Sequence, residues 1–442
     1  MRDVLTVQVE DPVTERSWYR QYVLGALTVV LTLSYLDTSL IVVLLEPIKT
    51  DLSLSDSQLG LLTGIAFALF YATLGVPIAR WADRGNRVTI ASIAIALWGA
   101  TVMLSLLINN FSQLLLARVA AAIGQAGCMP PMYSLIGDYF PGARERTRAM
   151  TIFMLSQPLS SVGCFAGGWL NEHYGWRMTF FLIGAPGLVA AILAKLTIAE
   201  PRCHLSAPSA EHTNAPPLRT VTLRTVVTVL WRQRSYRHLI LAMVLLFIVG
   251  QGLNPWYGAF LTRNHAMSTS ELGLWLTIIL GLGMFVGTLM GGYVIMRWFS
   301  HNERGQMRLT AVTIAMLVPC SALFLLLPGK EGSLLALAPI SMAYGFFIGP
   351  TFALMQRLIG TEIRATALAV VMLLSNLLGM GIGPQLVGLI SDRLQPSLGN
   401  DSLRYAMLAI SFVALWSAFH FWRVGRTVAR DLSLQDSISA TG

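Results

Sequence analysis

Residues 31–45 read LTLSYLDTSLIVVLL, an apolar run that contains a single acidic residue, Asp37. A second run, LLLARVAAAIGQAG at 114–127, contains a single basic residue, Arg118. Such runs are typical of helices that cross a lipid bilayer, where a charge is costly and normally faces a polar cavity or an opposite charge. Two interpretations follow: Asp37 and Arg118 belong to a substrate or proton pathway, or they form a structural ion pair that joins two helices.

The composition of the whole chain extends this pattern. Of its 442 residues, 55% are hydrophobic and only 12% are charged, and the mean hydropathy is +0.62. This balance excludes an ordinary soluble domain. We predict an all-α membrane protein with twelve transmembrane helices, because a barrel would show shorter segments of alternating polarity. The predicted spans are 21–45, 58–79, 88–108, 112–136, 149–169, 178–198, 238–260, 272–296, 309–327, 334–356, 366–389 and 404–422.

The basic residues predict the orientation. Most of the 31 Lys and Arg residues fall in the termini and in the loops on the same side as the termini. By the positive-inside rule, both termini are cytoplasmic and the protein is a multi-pass protein of the cell inner (cytoplasmic) membrane. The net charge of +9 then reflects topology and contact with membrane lipids rather than a nucleic-acid surface.

The chain divides in the middle. Residues 199–236 are its longest polar stretch and are predicted to be a cytoplasmic linker between a six-helix bundle at 1–198 and a second one at 237–442. The halves echo each other, since PGARERTRAM (141–150) and IGTEIRATAL (359–368) each precede a predicted span rich in small residues. Two such repeats with a cavity between them are typical of secondary transporters.

Two motifs carry a resemblance to a known superfamily. The loop at 79–87, ARWADRGNR, resembles the G-x-x-x-D-R-x-G-R motif of the major facilitator superfamily, with Ala79 and Asn86 in place of two glycines. The segment RVAAAIG at 118–124 resembles the superfamily's span-four motif R-x-x-x-G-x-G, with Ala122 in place of the first glycine. The resemblance covers essentially the whole chain and implies the fold of two six-helix halves and a transport function.

The charged residues of the first motif predict a conformational latch. Asp83 can accept hydrogen bonds from the N-terminus of a neighbouring helix, and Arg84 and Arg87 can pair with carboxylates such as Asp138 or Glu145. Such a cluster would hold the cytoplasmic side closed in one conformation. Alternatively, the two arginines only follow the positive-inside bias.

Within the superfamily the chain is similar to the spinster-like group. The similarity rests on Tyr35-Leu36-Asp37, on Arg118 and on GQAGCMPPMYSLIGDYFP at 124–141, and it implies transport of lysophospholipids and sphingoid lipid phosphates. That group has an acidic residue seven positions after the span-four arginine, where this chain has Gln125. Gln125 lies about two helical turns from Arg118 but cannot titrate.

We therefore predict that Asp37, Arg118 and Gln125 link transport to protons. Asp37 alternates between its protonated and ionised forms, Arg118 binds a lipid phosphate or another anion, and Gln125 offers neutral hydrogen bonds. Further substrate contacts are predicted at polar positions within the spans, namely Thr38, Tyr133, Gln251, Asn254, Tyr257 and Asn376. Such residues also serve as interfacial anchors or join helices.

Three functions compete. The first is secondary active transport of an amphipathic lipid-like substrate by alternating access, linked to protons and carried out by a monomer. The second is export of drug-like amphiphiles or small organic anions, or uncoupled facilitation, within the same superfamily. The third is a membrane enzyme or a scramblase; an enzyme is not expected, since the spans contain no catalytic cluster and no phosphate-binding loop. The scattered cysteines and histidines predict neither a metal site nor a cofactor.

Overall fold

The computed structural model describes residues 16–201, 228, 230–300, 302–359 and 363–441, and within them the chain forms helices joined by short connections. The helices before residue 201, here called the N-half, are α1 (Ser17–Leu52), α2 (Asp56–Thr63), α3 (Ile65–Arg84), α4 (Arg87–Leu104), α5 (Phe111–Tyr139), α6 (Ala143–Met154), α7 (Ser156–Leu159) and α8 (Val162–Thr197). Those after residue 230, the C-half, are α9 (Arg234–Leu253), α10 (Trp256–His265), α11 (Thr269–Leu276), α12 (Gly283–Trp298), α13 (Glu303–Ala315), α14 (Leu317–Leu326), α15 (Lys330–Arg357), α16 (Arg364–Leu398), α17 (Ser402–Ser411) and α18 (Val413–Thr441).

Polar caps set where several helices begin. The Ser55 hydroxyl accepts a hydrogen bond from the Gln58 backbone, and the Gln58 side chain accepts one from the Ser55 backbone, which together start α2. The Asn86 side chain accepts from the Thr89 backbone N–H and starts α4 directly after the charged loop. These caps place Asp56 and Arg87 in the first turns of their helices.

In the described part of the chain, nine helical stretches are long and apolar enough to cross a membrane. Two of them, Arg144–Thr197 and Thr366–Ser433, are 54 and 68 residues long, and each covers two predicted spans. Gly175, with φ of 78°, interrupts the first of these where the predicted spans are separated. The helix α5 covers the predicted span 112–136 but is not among the nine. Twelve spans and the sidedness of the termini therefore stay predictions.

Each half is packed around central helices. In the N-half α4 lies against α5 and α8, and in the C-half α9 lies against α16 and α18. Most of the predicted linker, residues 202–227, lies outside the described residues, so the boundaries at 198 and 237 also stay predictions.

The two halves meet where α1 ends and α2 begins, which is here called the Asp56 end. There α1 packs against α10, α2 against α16, and α8 against α11. A Cβ atom on Gly258 would overlap the Val42 carbonyl oxygen, and one on Gly388 would overlap the Asp56 carbonyl oxygen. Glycine therefore lets the backbones of the two halves touch directly.

The opposite end, where α3 ends and α4 begins, is here called the Arg87 end. In the described residues, the ion pairs at this end lie within one half: Arg20–Glu145, Arg87–Asp138, Arg87–Glu200 and Arg357–Glu303. The halves are thus joined at the Asp56 end, while the four ion pairs described at the Arg87 end do not bridge them.

Candidate functional site

The structure brings Asp37 and Arg118 together in the interior of the N-half. Arg118 Nη1 on α5 donates to Asp37 Oδ2 on α1 at 2.8 Å. Asp37 is fully buried and Arg118 is 7% exposed. Each lies well inside a long apolar helix, so this is a buried ion pair with little access to water.

The hydrogen bonds around this pair are incomplete. Gln125 Nε2 donates to the Ser34 carbonyl at 3.0 Å, which holds the glutamine side chain against α1. Asp37 Oδ1, Arg118 Nε and Gln125 Oε1 are buried and have no hydrogen-bond partner in the described structure. Each unsatisfied buried polar atom costs about 1–3 kcal/mol, and the cost is higher for a charged group. The site therefore retains capacity for a proton or for ligand atoms.

An aromatic wall from α3 closes one side of the pair. The Arg118 guanidinium lies 5.5 Å from the Phe67 ring centroid, within range for a cation–π interaction. Phe67 in turn stacks on Tyr71, with ring centroids 5.7 Å apart and planes inclined by 15°. The side chain of Arg118 is thus oriented by a carboxylate on α1 and by a ring on α3.

Tyrosine hydroxyls lie next to this wall. Tyr35 and Tyr71 both direct their O–H groups to Met129 Sδ, at 3.3 and 3.8 Å. Tyr133, a predicted substrate residue, directs its O–H group to Met154 Sδ at 4.0 Å. Tyr35 and Tyr71 were missed as site residues, although the position of Tyr35 two residues before Asp37 was a signal that could have indicated it.

The other predicted substrate residues divide into two groups. Thr38, Gln251, Asn254 and Asn376 are half-buried, but the described contacts do not join them to the Asp37–Arg118 pair. Tyr257 is 3% exposed and packs edge-on against Phe324 in the C-half core, with centroids 5.4 Å apart. A helix break lies at Pro255, beside Asn254, since α9 ends at Leu253 and α10 begins at Trp256.

The predicted latch residues occupy the Arg87 end. The Arg87 guanidinium is fully buried and contacts Asp138 at 2.5 Å and Glu200 at 2.6 Å. Asp138 is one of the two partners that the sequence suggested for the arginines of this loop. The Glu200 carboxylate also accepts hydrogen bonds from the backbone N–H groups of Arg87 and Val88, which caps α4. Glu200 was missed because it lies in the predicted linker, where a single acid carries no signal.

The remaining latch residues are not part of this cluster. Glu145 pairs with Arg20 at 2.5 Å rather than with the arginines of the 79–87 loop. Arg84 is exposed, and the side chain of Asp83 lies outside the described residues. The latch therefore stays a prediction, with Arg87 and Asp138 as its described core.

A second charged network, which sequence reasoning missed, joins the two halves at the Asp56 end. The Arg263 guanidinium on α10 forms two hydrogen bonds of 2.8 Å with the Asp56 carboxylate on α2. It also contacts Glu46 on α1 at 2.7 Å, and Lys49 contacts Asp56 at 2.7 Å. Burial opposes the charged form of Arg263, but the hydrogen bonds and charges of Asp56 and Glu46 outweigh burial and raise its pKa. The arginine therefore stays charged as a bridge.

The same end is fastened by α16. The Asp392 carboxylate accepts hydrogen bonds from the backbone N–H groups of Asp56 and Ser57 at 2.9 and 2.8 Å, at the N-terminus of α2. The Ser391 hydroxyl donates to Asp56 at 2.6 Å. In the described residues, no group of three or more His, Cys, Asp or Glu side chains is placed to hold a metal ion.

Comparison with known proteins identifies the relatives of the chain. A family model described as Major Facilitator Superfamily matches residues 27–384. An "MFS-type efflux pump" from Mycolicibacterium smegmatis is 31% identical over 411 residues, which cover 92% of this chain and 93% of the relative. "Protein spinster homolog 1" from Homo sapiens is 28% identical over 419 residues, with 86% and 76% covered. "Sphingosine-1-phosphate transporter SPNS2" from Danio rerio is 26% identical over 426 residues, with 88% and 81% covered.

Solved structures agree with this relationship. The crystal structure of a bacterial homologue of the human lysosomal transporter Spinster, in an inward-facing and unoccupied conformation, superposes with a TM-score of 0.82 at 28% identity. The match covers 94% of this chain and 99% of that chain. The relatives thus include both an efflux pump and spinster proteins.

Proposed function

The chain belongs to the major facilitator superfamily, and on that premise we propose that it is a proton-linked secondary transporter of an amphipathic, lipid-like anion that works by alternating access. It is a multi-pass membrane transporter related to the spinster proteins and to a mycobacterial efflux pump. The proposal adds the class of substrate, the coupling to protons and the residues that perform both.

The single observation that carries the proposal is the buried pair of Asp37 and Arg118 with its unpartnered atoms. When Asp37 is ionised, it holds the Arg118 guanidinium at 2.8 Å. When Asp37 takes up a proton, the attraction is lost and Arg118 becomes available to an anion. Proton uptake and anion binding are then linked, because each favours the other.

Gln125 serves as an uncharged hydrogen-bonding residue in this scheme. Its amide nitrogen is held by the Ser34 carbonyl, so its unpartnered Oε1 has a fixed position near the pair. It can accept a hydrogen bond from protonated Asp37 or from a ligand hydroxyl, but it cannot carry a proton itself. Asp37 is then the titrating group of this cluster, with Arg118 as the charged group that faces it.

The arrangement of the halves supports alternating access. The Asp56 end is joined by ion pairs and by backbone contact between the halves, whereas the ion pairs described at the Arg87 end lie within one half. On the positive-inside rule, we propose that the Arg87 end faces the cytoplasm. We propose an inward-facing arrangement with twelve spans, both termini cytoplasmic, bundles at 1–198 and 237–442, and a location in the inner membrane as a monomer.

The character of the site supports an amphiphile as the substrate. A small polyanion would require several cationic side chains, while this cluster contains the single guanidinium of Arg118. Its walls are aromatic and thioether groups from Phe67, Tyr71 and Met129, which suit an apolar tail. The relative that is described as a sphingosine-1-phosphate transporter adds support for a lipid phosphate.

A second candidate is favoured by a different observation. The relative at 31% identity is described as an efflux pump, and the same aromatic and methionine wall would accept a drug-like amphiphile. Both candidates use the same coupling residues, so the substrate alone separates them.

The experiment that tests the proposal is uptake of a radiolabelled lysophospholipid into liposomes that contain the purified protein, with and without an imposed pH gradient. We expect uptake that the gradient stimulates and that protein-free liposomes lack. Equal uptake with and without a gradient would instead identify an uncoupled facilitator or a scramblase. Gradient-dependent uptake of a cationic dye but not of the lysophospholipid would establish the efflux candidate.

A further inference from the structure

Three tyrosine hydroxyls in the N-half have sulfur atoms as their acceptors. Tyr35 on α1 and Tyr71 on α3 share Met129 Sδ on α5, at 3.3 and 3.8 Å. Tyr133, one helical turn further along α5, contacts Met154 Sδ on α6 at 4.0 Å. Buried tyrosine hydroxyls normally find an oxygen or nitrogen partner, and a thioether is only a weak acceptor. These three donors therefore make only weak hydrogen bonds to their described acceptors.

The three hydroxyls form one cluster. Tyr35 and Tyr71 share the Met129 sulfur as acceptor, and Tyr133 follows Met129 by four residues, which is about one turn of α5. They come from three different helices, and all three side chains are half-buried. Their donors thus converge on one region instead of serving three separate helix contacts.

The cluster adjoins the Asp37–Arg118 pair. Tyr35 precedes Asp37 by two residues on α1. Tyr71 stacks on Phe67, whose ring also faces the Arg118 guanidinium. A ligand held by the tyrosines would therefore lie next to the one guanidinium of the buried site, whose Nε has no partner.

The cluster also leads towards the exterior. Met154, the partner of Tyr133, is 40% exposed. Together with Met150 and Leu155 it lines an open recess of about 600 Å³ on the face of α6 at the Arg87 end. Met150, Met154 and Leu155 give the recess an apolar side that suits the tail of an amphiphile, and Arg146, Thr147 and Thr151 complete its lining.

We propose that Tyr35, Tyr71 and Tyr133 form the subsite that binds the phosphate oxygens of the transported amphiphile. This inference rests on the proposed function and adds the headgroup that the site selects. Phenolic O–H groups turn from weak thioether acceptors to charged oxygens, which accept stronger hydrogen bonds. Three donors match the three terminal oxygens of a phosphate monoester. Once Asp37 is protonated, Arg118 supplies the adjacent positive charge.

The test uses the full protein in phosphatidylcholine nanodiscs and two probes with the same 14-carbon chain. One is a lysophosphatidic acid, and the other is the monoacylglycerol that lacks the phosphate. Binding of both is measured for the wild type, for Tyr35→Phe, Tyr71→Phe and Tyr133→Phe, and for the triple variant. Tyr293→Phe is the matched control, because Tyr293 is an exposed tyrosine on α12.

We expect each Tyr→Phe change to weaken lysophosphatidic acid binding about tenfold, as for loss of a hydrogen bond to a charged group. Binding of the monoacylglycerol should stay unchanged in these variants, and Tyr293→Phe should bind both probes like the wild type. Wild-type affinity for lysophosphatidic acid in the triple variant would overturn the subsite and leave the proposed transport function in place. Equal loss of both probes would also overturn it, because that result would indicate a packing role. If the wild type binds neither probe, the lipid substrate itself fails as well.

Discussion

At the scale of the residue, the Asp37–Arg118 pair is difficult to explain by stability alone. Moving two charges out of water is expensive, and a buried ion pair is often no more stabilising than apolar residues of similar volume. This pair also leaves Asp37 Oδ1 and Arg118 Nε without partners. A proton and an anionic ligand would satisfy these atoms during the transport cycle. A role in transport therefore accounts for the pair better than a role in stability.

The geometry of Arg118 leads to a prediction for Arg118→Lys. Lysine keeps the charge but loses the planar fork, so it cannot bind two headgroup oxygens side by side as arginine can. We expect lysophospholipid uptake to fall about tenfold or more, as for loss of a hydrogen bond to a charged group, while the protein still folds. The measurement is initial uptake in liposomes, with Arg177→Lys as the control, since Arg177 pairs with Asp51 away from this site. Wild-type uptake by Arg118→Lys would mean that a simple positive charge suffices.

The sequence indicates some of these residues and not others. Asp37 and Arg118 could be found because each is a lone charge in an apolar run. Tyr35 and Tyr71 could not, since tyrosines in membrane helices also serve as interfacial anchors. The pairing of Glu46 with Arg263 could not be found either, because 217 residues separate them and only the tertiary fold decides which span ends are neighbours.

At the scale of the element, glycine decides how closely the halves approach. Gly258 on α10 faces the backbone of Val42 on α1, and Gly388 on α16 faces that of Asp56 on α2. A carbonyl oxygen on a helix cannot move aside as a flexible side chain can. The contact between the halves is therefore sensitive to a single methyl group.

This sensitivity predicts the effect of Gly258→Ala. The added methyl group would overlap the Val42 carbonyl oxygen, so α1 and α10 must separate, at a cost of about 1–3 kcal/mol to the closed Asp56 end. We expect faster labelling of a cysteine placed at Ser57 on a background without native cysteines. Gly292→Ala is the matched control, because nothing lies within 4 Å of a Cβ atom at that position. Equal labelling rates in the two variants would show that the contact of Gly258 with Val42 does not hold the Asp56 end closed.

Hydropathy predicts where helices lie but not where they are interrupted. The predicted span 58–79 is divided at Gly64, between α2 and α3, where φ and ψ are both −106°. A Cβ atom on Gly64 would lie 2.7 Å from the Gly381 carbonyl oxygen of the other half. The interruption thus belongs to a contact with α16, which no local pattern reveals. The break at Pro255 could be predicted, because proline removes a backbone donor.

At the scale of the whole molecule, the charged network at the Asp56 end holds the two halves together. Arg263 is the cation that bridges them, since it reaches Glu46 and Asp56 from α10, and Asp392 and Ser391 on α16 add further links to α2. Alternating access requires that this network opens when the Arg87 end closes. The sequence could predict two halves from its repeat, but it contains no signal for which end is closed.

Neutralising this bridge should shift the balance of conformations. In Arg263→Gln, Glu46 and Asp56 lose their shared cation, so we expect the Asp56 end to open more often. Spin labels at Asn109 and Glu331, both exposed at this end in opposite halves, would show a population with longer distances. Arg177→Gln is the matched control, because it breaks an ion pair at the same end within the N-half. An unchanged distance distribution in Arg263→Gln would show that the network does not hold the halves together.

The central claim is that protonation of Asp37 drives transport, and proton movement across the membrane of a liposome tests it most directly. An internal pH dye records the proton flux when lysophospholipid is added to wild type, Asp37→Asn or the control Glu331→Gln, which removes an exposed acid. We predict a substrate-induced proton flux for the wild type and the control, and none for Asp37→Asn even where substrate still binds. Proton flux at the wild-type rate in Asp37→Asn would contradict the account.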